Sequence, residues 1–226
     1  MRKTFPKLTA LLLTLALALA MSAPALAVFG GGDLSLVKPG PQAVCYKGET
    51  VTITLKTDDY KTGYENQFEC TLYPDGKTNE VWSKTGPKSD AATWSVKLKT
   101  GKLKPGDYVV SSGLASIDYD GGPYSSHYTV LTSALTVRKL KAPAKVSAKK
   151  SGKKVKLCWK KAKGATRYQI WRSKKKKSGF KKLAQVKGTK YTDKKAKKGH
   201  YYYRIQSIRA AGSGRAYSGV SKAARA

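Results

Sequence analysis

The sequence predicts an all-β protein built as two tandem β-sandwich domains. Apolar and polar residues alternate in short runs, and Gly, Pro and Asp punctuate those runs at fairly regular spacing. Charge is also divided sharply between two halves of the chain. No stretch carries a clear 3.6-residue apolar period, which argues against a helical or alternating α/β architecture.

The N-terminus is set aside before the fold is read. Arg2, Lys3 and Lys7 form a basic start, Leu8 to Ala20 is nearly all Leu and Ala, and Ala25-Leu26-Ala27 supplies a small-x-small cleavage pattern. This reads as a signal peptide over residues 1–27. Its apolar core is shorter than the ~20 residues a membrane-spanning helix needs. The mature chain is expected to begin at Val28 and to be secreted, either extracellular or held non-covalently at the cell surface. No sorting signal of the LPXTG type and no second hydrophobic stretch follows.

The whole chain carries 45 Lys+Arg against 13 Asp+Glu, a net charge of +32. Val28 to Arg138 holds 12 of each sign, whereas Lys139 to Ala226 holds 30 basic residues and one acid, Asp193. That step places a first domain over 28–138, a linker over 139–144 and a strongly basic second domain over 145–226. Pro143 suits an extended linker, because proline disfavours helix in the residue before it.

In the first domain Phe29 to Gly32 reads as a flexible leader. Val51, Ile53 and Leu55 then share one face of an extended run. Tyr64, Phe68, Cys70 and Leu72 share a face of the next, with Glu65, Gln67 and Glu69 opposite. Pro74-Asp75-Gly76-Lys77 is a turn, since Pro presets one dihedral and Gly accepts a positive one. Strands follow at Val81-Trp82, at Trp94, Val96 and Leu98, at Tyr108 to Val110 after Lys104-Pro105-Gly106, and at Val130 to Val137. In the second domain Val155, Leu157 and Trp159 alternate, and Tyr168 and Ile170 do so after Gly164. The two runs read as a hairpin-like antiparallel pair. Further strands are expected at Pro143 to Val146, Phe180 to Val186, Lys190 to Asp193, Tyr201 to Arg209 and Val220 to Ala224.

Trp159 in its L-x-W pattern, Tyr168 and Ile170 in Y-x-I-x-R-S, and Tyr201, Tyr203 and Ile205 before Arg209 resemble a fibronectin type III domain. It looks like the lysine-rich kind found at the C-termini of exported proteins in Gram-positive anaerobes. The resemblance spans about 80 residues and implies that these side chains form the core between two sheets. It says nothing of a ligand, and Gly212-Ser213-Gly214-Arg215 lacks the Arg-Gly-Asp tripeptide some animal members use. The phrase LKPGDYVV before a Pro-containing linker is more loosely similar to bacterial immunoglobulin-like domains.

Chemistry-bearing residues are sparse. Cys45 and Cys70 are either a disulfide pair, which export would permit, or two buried thiols. Cys158 points away from the Trp159 face and is expected on the outer surface. His127 lies near Ser125, Ser126, Asp118 and Asp120, but no nucleophile elbow accompanies it. His200 precedes a strand. Asp118 and Asp120 lack the downstream acid of a calcium loop. The chain therefore reads as non-catalytic, with no cofactor and no metal site. Two binding surfaces are expected. Lys174, Lys175, Lys176, Lys177, Lys181 and Lys182 would hold anionic cell-envelope polymers, or host and extracellular-matrix components, by diffuse, salt-sensitive attraction. Nucleic acid is a poor partner, because Lys outnumbers the bidentate reader Arg. The alternative is a carbohydrate-binding accessory protein that stacks glycans on Tyr119, Tyr124, Trp82 or Trp94.

Overall fold

The computed structural model describes residues 28–29, 34–40, 42–57, 64–89, 91–118, 126–196, 199–211 and 214–226. The expected signal peptide, Tyr119 and Tyr124 lie outside them. In chain order the strands are β1 (Val28–Phe29), β2 (Leu34–Lys38), β3 (Gln42–Tyr46), β4 (Thr50–Thr57), β5 (Tyr64–Pro74), β6 (Trp82–Thr85), β7 (Thr93–Lys99), β8 (Gly106–Asp118) and β9 (Ser126–Arg138). They continue with β10 (Ala144–Ser151), β11 (Lys154–Lys160), β12 (Arg167–Ser173), β13 (Lys181–Val186), β14 (Lys190–Asp193), β15 (Tyr202–Ala211), β16 (Gly214–Val220) and β17 (Ala224–Arg225). The chain divides into two compact units. The first comprises Met1–Cys45, Val51–Leu98 and Leu103–Val137, and the second Tyr46–Thr50, Lys99–Lys102 and Arg138–Ala226.

In the first unit one sheet runs β1-β9-β8-β5-β6, with β3 also on β9, and the other runs β2-β4-β7. Ile53 and Leu55 from one sheet meet Phe68, Cys70, Leu72, Leu131 and Leu135 from the other in a single apolar core. These are the faces the alternation marks. The Pro74 turn forms as its residues dictate: Gly76 takes φ 73°, and the Lys77 N–H donates to the Pro74 carbonyl at 3.0 Å. β8 and β9 extend well past their apolar stretches, paired from Gly106↔Val137 to Ile117↔Ser126. Val28 and Phe29 are not simply leader, since they pair with Leu131 and Val130.

Cys45 and Cys70 sit in the same core. Burial pushes the Cys70 thiol up to about 12, against a hydrogen bond from Ser112 at 3.8 Å that lowers it and the nearby Glu69 charge that raises it. A thiol held so far above neutral pH has almost no nucleophilic thiolate. Cys158, by contrast, is exposed on the outer side of β11, with Ser147 Oγ 2.9 Å from its sulfur. Native protein treated with a thiol reagent at neutral pH is expected to label at Cys158 alone. The count after unfolding without reductant then separates the two readings of Cys45 and Cys70: three thiols, or one if they pair.

The second unit packs a β10-β11-β14 sheet against a β13-β12-β15-β16 sheet, with β17 also on β15. Every registered pair in it is antiparallel. It is a sandwich of the fibronectin type III-like architecture. Gly152, at φ 58°, opens the two-residue turn between β10 and β11, the glycine-first chemistry of a tight hairpin. Val155, Leu157 and Trp159 face Tyr168, Ile170, Tyr203 and Ile205 across the core, all of them buried. The Trp159 and Tyr168 rings meet edge-to-face at 5.4 Å and 67°. The hairpin reading of Lys153 to Ser173 needs correcting, because β11 and β12 belong to opposite sheets. The Gly164 turn (φ 83°) carries the chain from one layer to the other, and the Ala162 N–H donates to Tyr168 Oη at 3.0 Å. β16 is a strand the alternation did not mark.

Tyr46 and Glu49 belong to this second unit. Glu49 is buried, accepting from the Tyr46 N–H and from Arg209 Nε, each at 2.7 Å. The Arg209 guanidinium also lies 4.9 Å from the Tyr46 ring centroid. Residues 139–226 expressed alone would leave Arg209 without both partners, so binding calls for the full chain.

Candidate anion-binding site

The site begins with how the second unit disposes of its acids. Asp193, the one acid after Arg138, is fully buried where β14 ends. Its carboxylate accepts from Arg172 Nη1 at 2.8 Å, from Tyr203 Oη at 2.9 Å and from the Lys195 N–H at 2.9 Å. Burial, then the hydrogen bond to Asp193 and the charge of that group, hold the Tyr203 phenol well above its ordinary range. Arg172 completes its environment with the Lys195 carbonyl at 3.3 Å and the Tyr201 ring at 5.0 Å. Glu49 is likewise taken by Arg209. Among the described residues of the second unit, both acidic side chains are thus taken by arginines rather than by lysines.

Ser173, buried at the end of β12, shapes the loop that follows. Its hydroxyl donates to the Ser178 carbonyl at 2.6 Å and accepts the Lys175 N–H at 2.9 Å, so one side chain closes both ends of the lysine run. Gly179 at φ 69° returns the chain to β13. Local side-chain-to-backbone bonding of this kind is a standard serine role in turns.

Beside this loop lies a cavity of about 410 Å³, lined by Arg172, Ser173, Lys174, Lys175, Gly179, Lys181, Lys182, Leu183 and Tyr201. That size is within the range of small-ligand sites. Four of the six lysines singled out in the sequence converge on it. Lys176 and Lys177 stand exposed on the loop without lining it. Arg172, Ser173 and Tyr201 stand in the sequence as parts of the fibronectin type III-like motifs and not as binding residues; the one legible signal for the site is Ser173 placed two residues before Lys175, a side-chain turn spacing.

Trp82 and Trp94 are half-buried against the first unit's core, and Trp94 stacks on Phe68 at 6.3 Å and 8°. Gly86 is pressed against the Trp94 indole, where an added Cβ would fall 2.8 Å from Nε1. Tyr119 and Tyr124, and the side chains of Asp118, Asp120 and His127, lie outside the described residues. His200 is exposed. Among the described residues no three His, Cys, Asp or Glu side chains gather to hold a metal ion. No described helix is long and apolar enough to cross a membrane.

No protein-family model matches the sequence, and no curated protein matches it. Among solved structures, an Fn3-like protein from Clostridium thermocellum is similar at 28% identity over 38% of this chain and 90% of its own, TM-score 0.34. The FN1–FN3 domains of chicken CNTN1 are similar at 18% identity over 86% of this chain and 66% of theirs, TM-score 0.39. A beta-1,2-glucanase from Parabacteroides distasonis is similar at 11% identity over 90% of this chain and 36% of its own, TM-score 0.34. At these scores the fold class rests on the strand order of the chain itself.

Proposed function

We propose that this is a secreted, non-catalytic binding protein whose basic second unit associates with anionic envelope polymers and whose first unit is presented to a partner. The observation that supports the reading is the Lys174–Lys182 cavity. Its four lysines converge on one concavity, while the unit's two acidic side chains are taken by Arg172 and Arg209. Ammonium groups without carboxylate partners attract anions over the whole basic surface, and a concave site focuses that field. Lysine suits this task, because it supplies a rotatable point charge and demands no fixed planar geometry from its ligand.

The test uses purified cell walls, intact or stripped of their anionic polymers. Wild-type full chain is expected to be retained on intact walls and lost from stripped ones. The K174Q/K175Q/K181Q/K182Q variant is expected to bind intact walls several-fold more weakly. Equal retention on both wall preparations would sink the proposal.

A further inference from the structure

The proposed polymer association has a second surface, on the other sheet of the same unit. β11 alternates strictly, with Val155, Leu157 and Trp159 buried and Lys154, Lys156, Cys158 and Lys160 exposed. Register extends that outer face across the sheet. Lys149 stands directly opposite Lys156, which is opposite Thr192 on its other side. Lys190 is opposite Cys158, Ser151 opposite Lys154, and Ala144 opposite Lys160. The face therefore carries Lys149, Lys154, Lys156, Lys160 and Lys190 among small residues.

Two features of this face indicate what covers it. Like charges directly opposite one another on an antiparallel pair are destabilising, and Lys149 and Lys156 are such a pair. With Asp193 and Glu49 both bonded elsewhere, no acid of the unit relieves them; an anion laid between them would. Spacing is the second feature. Lys154 and Lys156 are two residues apart on a strand, a step of about 6.7 Å. A chain of three-carbon polyol units joined by phosphodiesters contains as many backbone bonds per repeat as two peptide residues do. When extended it sets one negative charge at nearly that same step. The residues at these outer-face positions include no aromatic ring on which a base could stack, which disfavours single-stranded nucleic acid as the occupant.

We infer that the outer face of β10-β11-β14 is a track for a linear polyol-phosphate chain, lying along β11 with successive phosphates on Lys154 and Lys156, at the Cys158 step where Lys190 stands opposite, and on Lys160. This rests on the anionic-polymer reading above and adds to it a surface, a direction and a charge repeat.

The experiment compares full-length wild type with K149Q/K154Q/K156Q on the sheet face and K174Q/K175Q/K182Q at the cavity, which remove equal charge. The probe is a glycerol-phosphate oligomer, titrated by fluorescence anisotropy over a salt series, with oligo-dT as the competing chemistry. The sheet-face variant is expected to lose about ten-fold in affinity at low salt. Its slope of log K against log salt should flatten by about 2, as three lost phosphate contacts on a single-stranded polyanion require. The cavity variant should lose clearly less. Equal losses from the two variants, or tighter binding of oligo-dT than of glycerol phosphate, would overturn the inference while leaving the general reading intact. A wild type that binds no polyanion would overturn both. A second readout guards against simple misfolding. Lys156→Thr is expected to raise the unliganded Tm by about 1–4 °C, by removing the like-charge pair, while weakening binding. A lowered Tm would count against the track.

Discussion

Asp193→Ala is expected to destabilise the second unit by about 3 kcal/mol. The carboxylate is fully buried and holds three donors from separate parts of the unit: Arg172 on β12, Tyr203 on β15 and the Lys195 N–H just beyond β14. Alanine would strand all three. The estimate sits at the low end for a broken buried pair, because the Arg172 side chain is 27% exposed and can regain water. Asp193→Asn keeps an acceptor for one donor but turns an amide toward the guanidinium, so about half the loss is expected. Amide exchange on β12 and β15 of the full chain measures this without assuming that two units unfold in one step. A loss below about 1 kcal/mol for the alanine variant would show that Arg172 and Tyr203 find other partners.

Trp159→Ala should cost about 3–5 kcal/mol, the range for deleting a large aromatic from a packed core. Trp159 fills the space between the sheets against Tyr168, and that edge-to-face contact adds a geometric term to its area. Its indole N–H, however, is buried with no hydrogen-bond partner among the described residues. Trp159→Phe would remove that unpaired donor while retaining most of the apolar volume. The two effects oppose each other, so a net cost under about 2 kcal/mol is expected. Urea unfolding of the two variants distinguishes them. If phenylalanine proved as damaging as alanine, the indole N–H would have to be bonded after all.

Much of the second unit was legible from alternation alone. Leu157, Trp159, Tyr168, Ile170, Tyr203 and Ile205 are core residues because each sits on the apolar side of a period-two run, and that periodicity is a local property. What alternation cannot give is the strand's partner. β11 and β12 both read as half-buried strands, but nothing in their side chains says whether Gly164 turns the chain back within a sheet or across to the other layer. In the first unit, β8 continues through Ser111, Ser112 and Gly113, which bury small and polar groups and so break the apolar pattern while keeping the ladder. β16 escaped for the same reason, being rich in Gly, Ser and Ala.

The binding surfaces were legible to different depths. Lys174 to Lys182 stands out as a charge run, yet the side chains that make it concave, Arg172, Ser173 and Tyr201, come from a strand end and from the approach to another strand. The Lys149–Lys156 pairing was closer to hand. A Gly152-Lys153 turn of two residues fixes the register, and counting outward from it sets the two lysines opposite each other.

On the proposed function, lysines of the second unit hold an anionic polymer electrostatically. The direct measurement is retention of the full chain on isolated anionic wall polymer across a salt series. The account predicts firm retention at low salt and a linear fall of log K with log salt, since each bound phosphate releases counterions. Retention that stays unchanged at high salt, or is already absent at low salt, would contradict it.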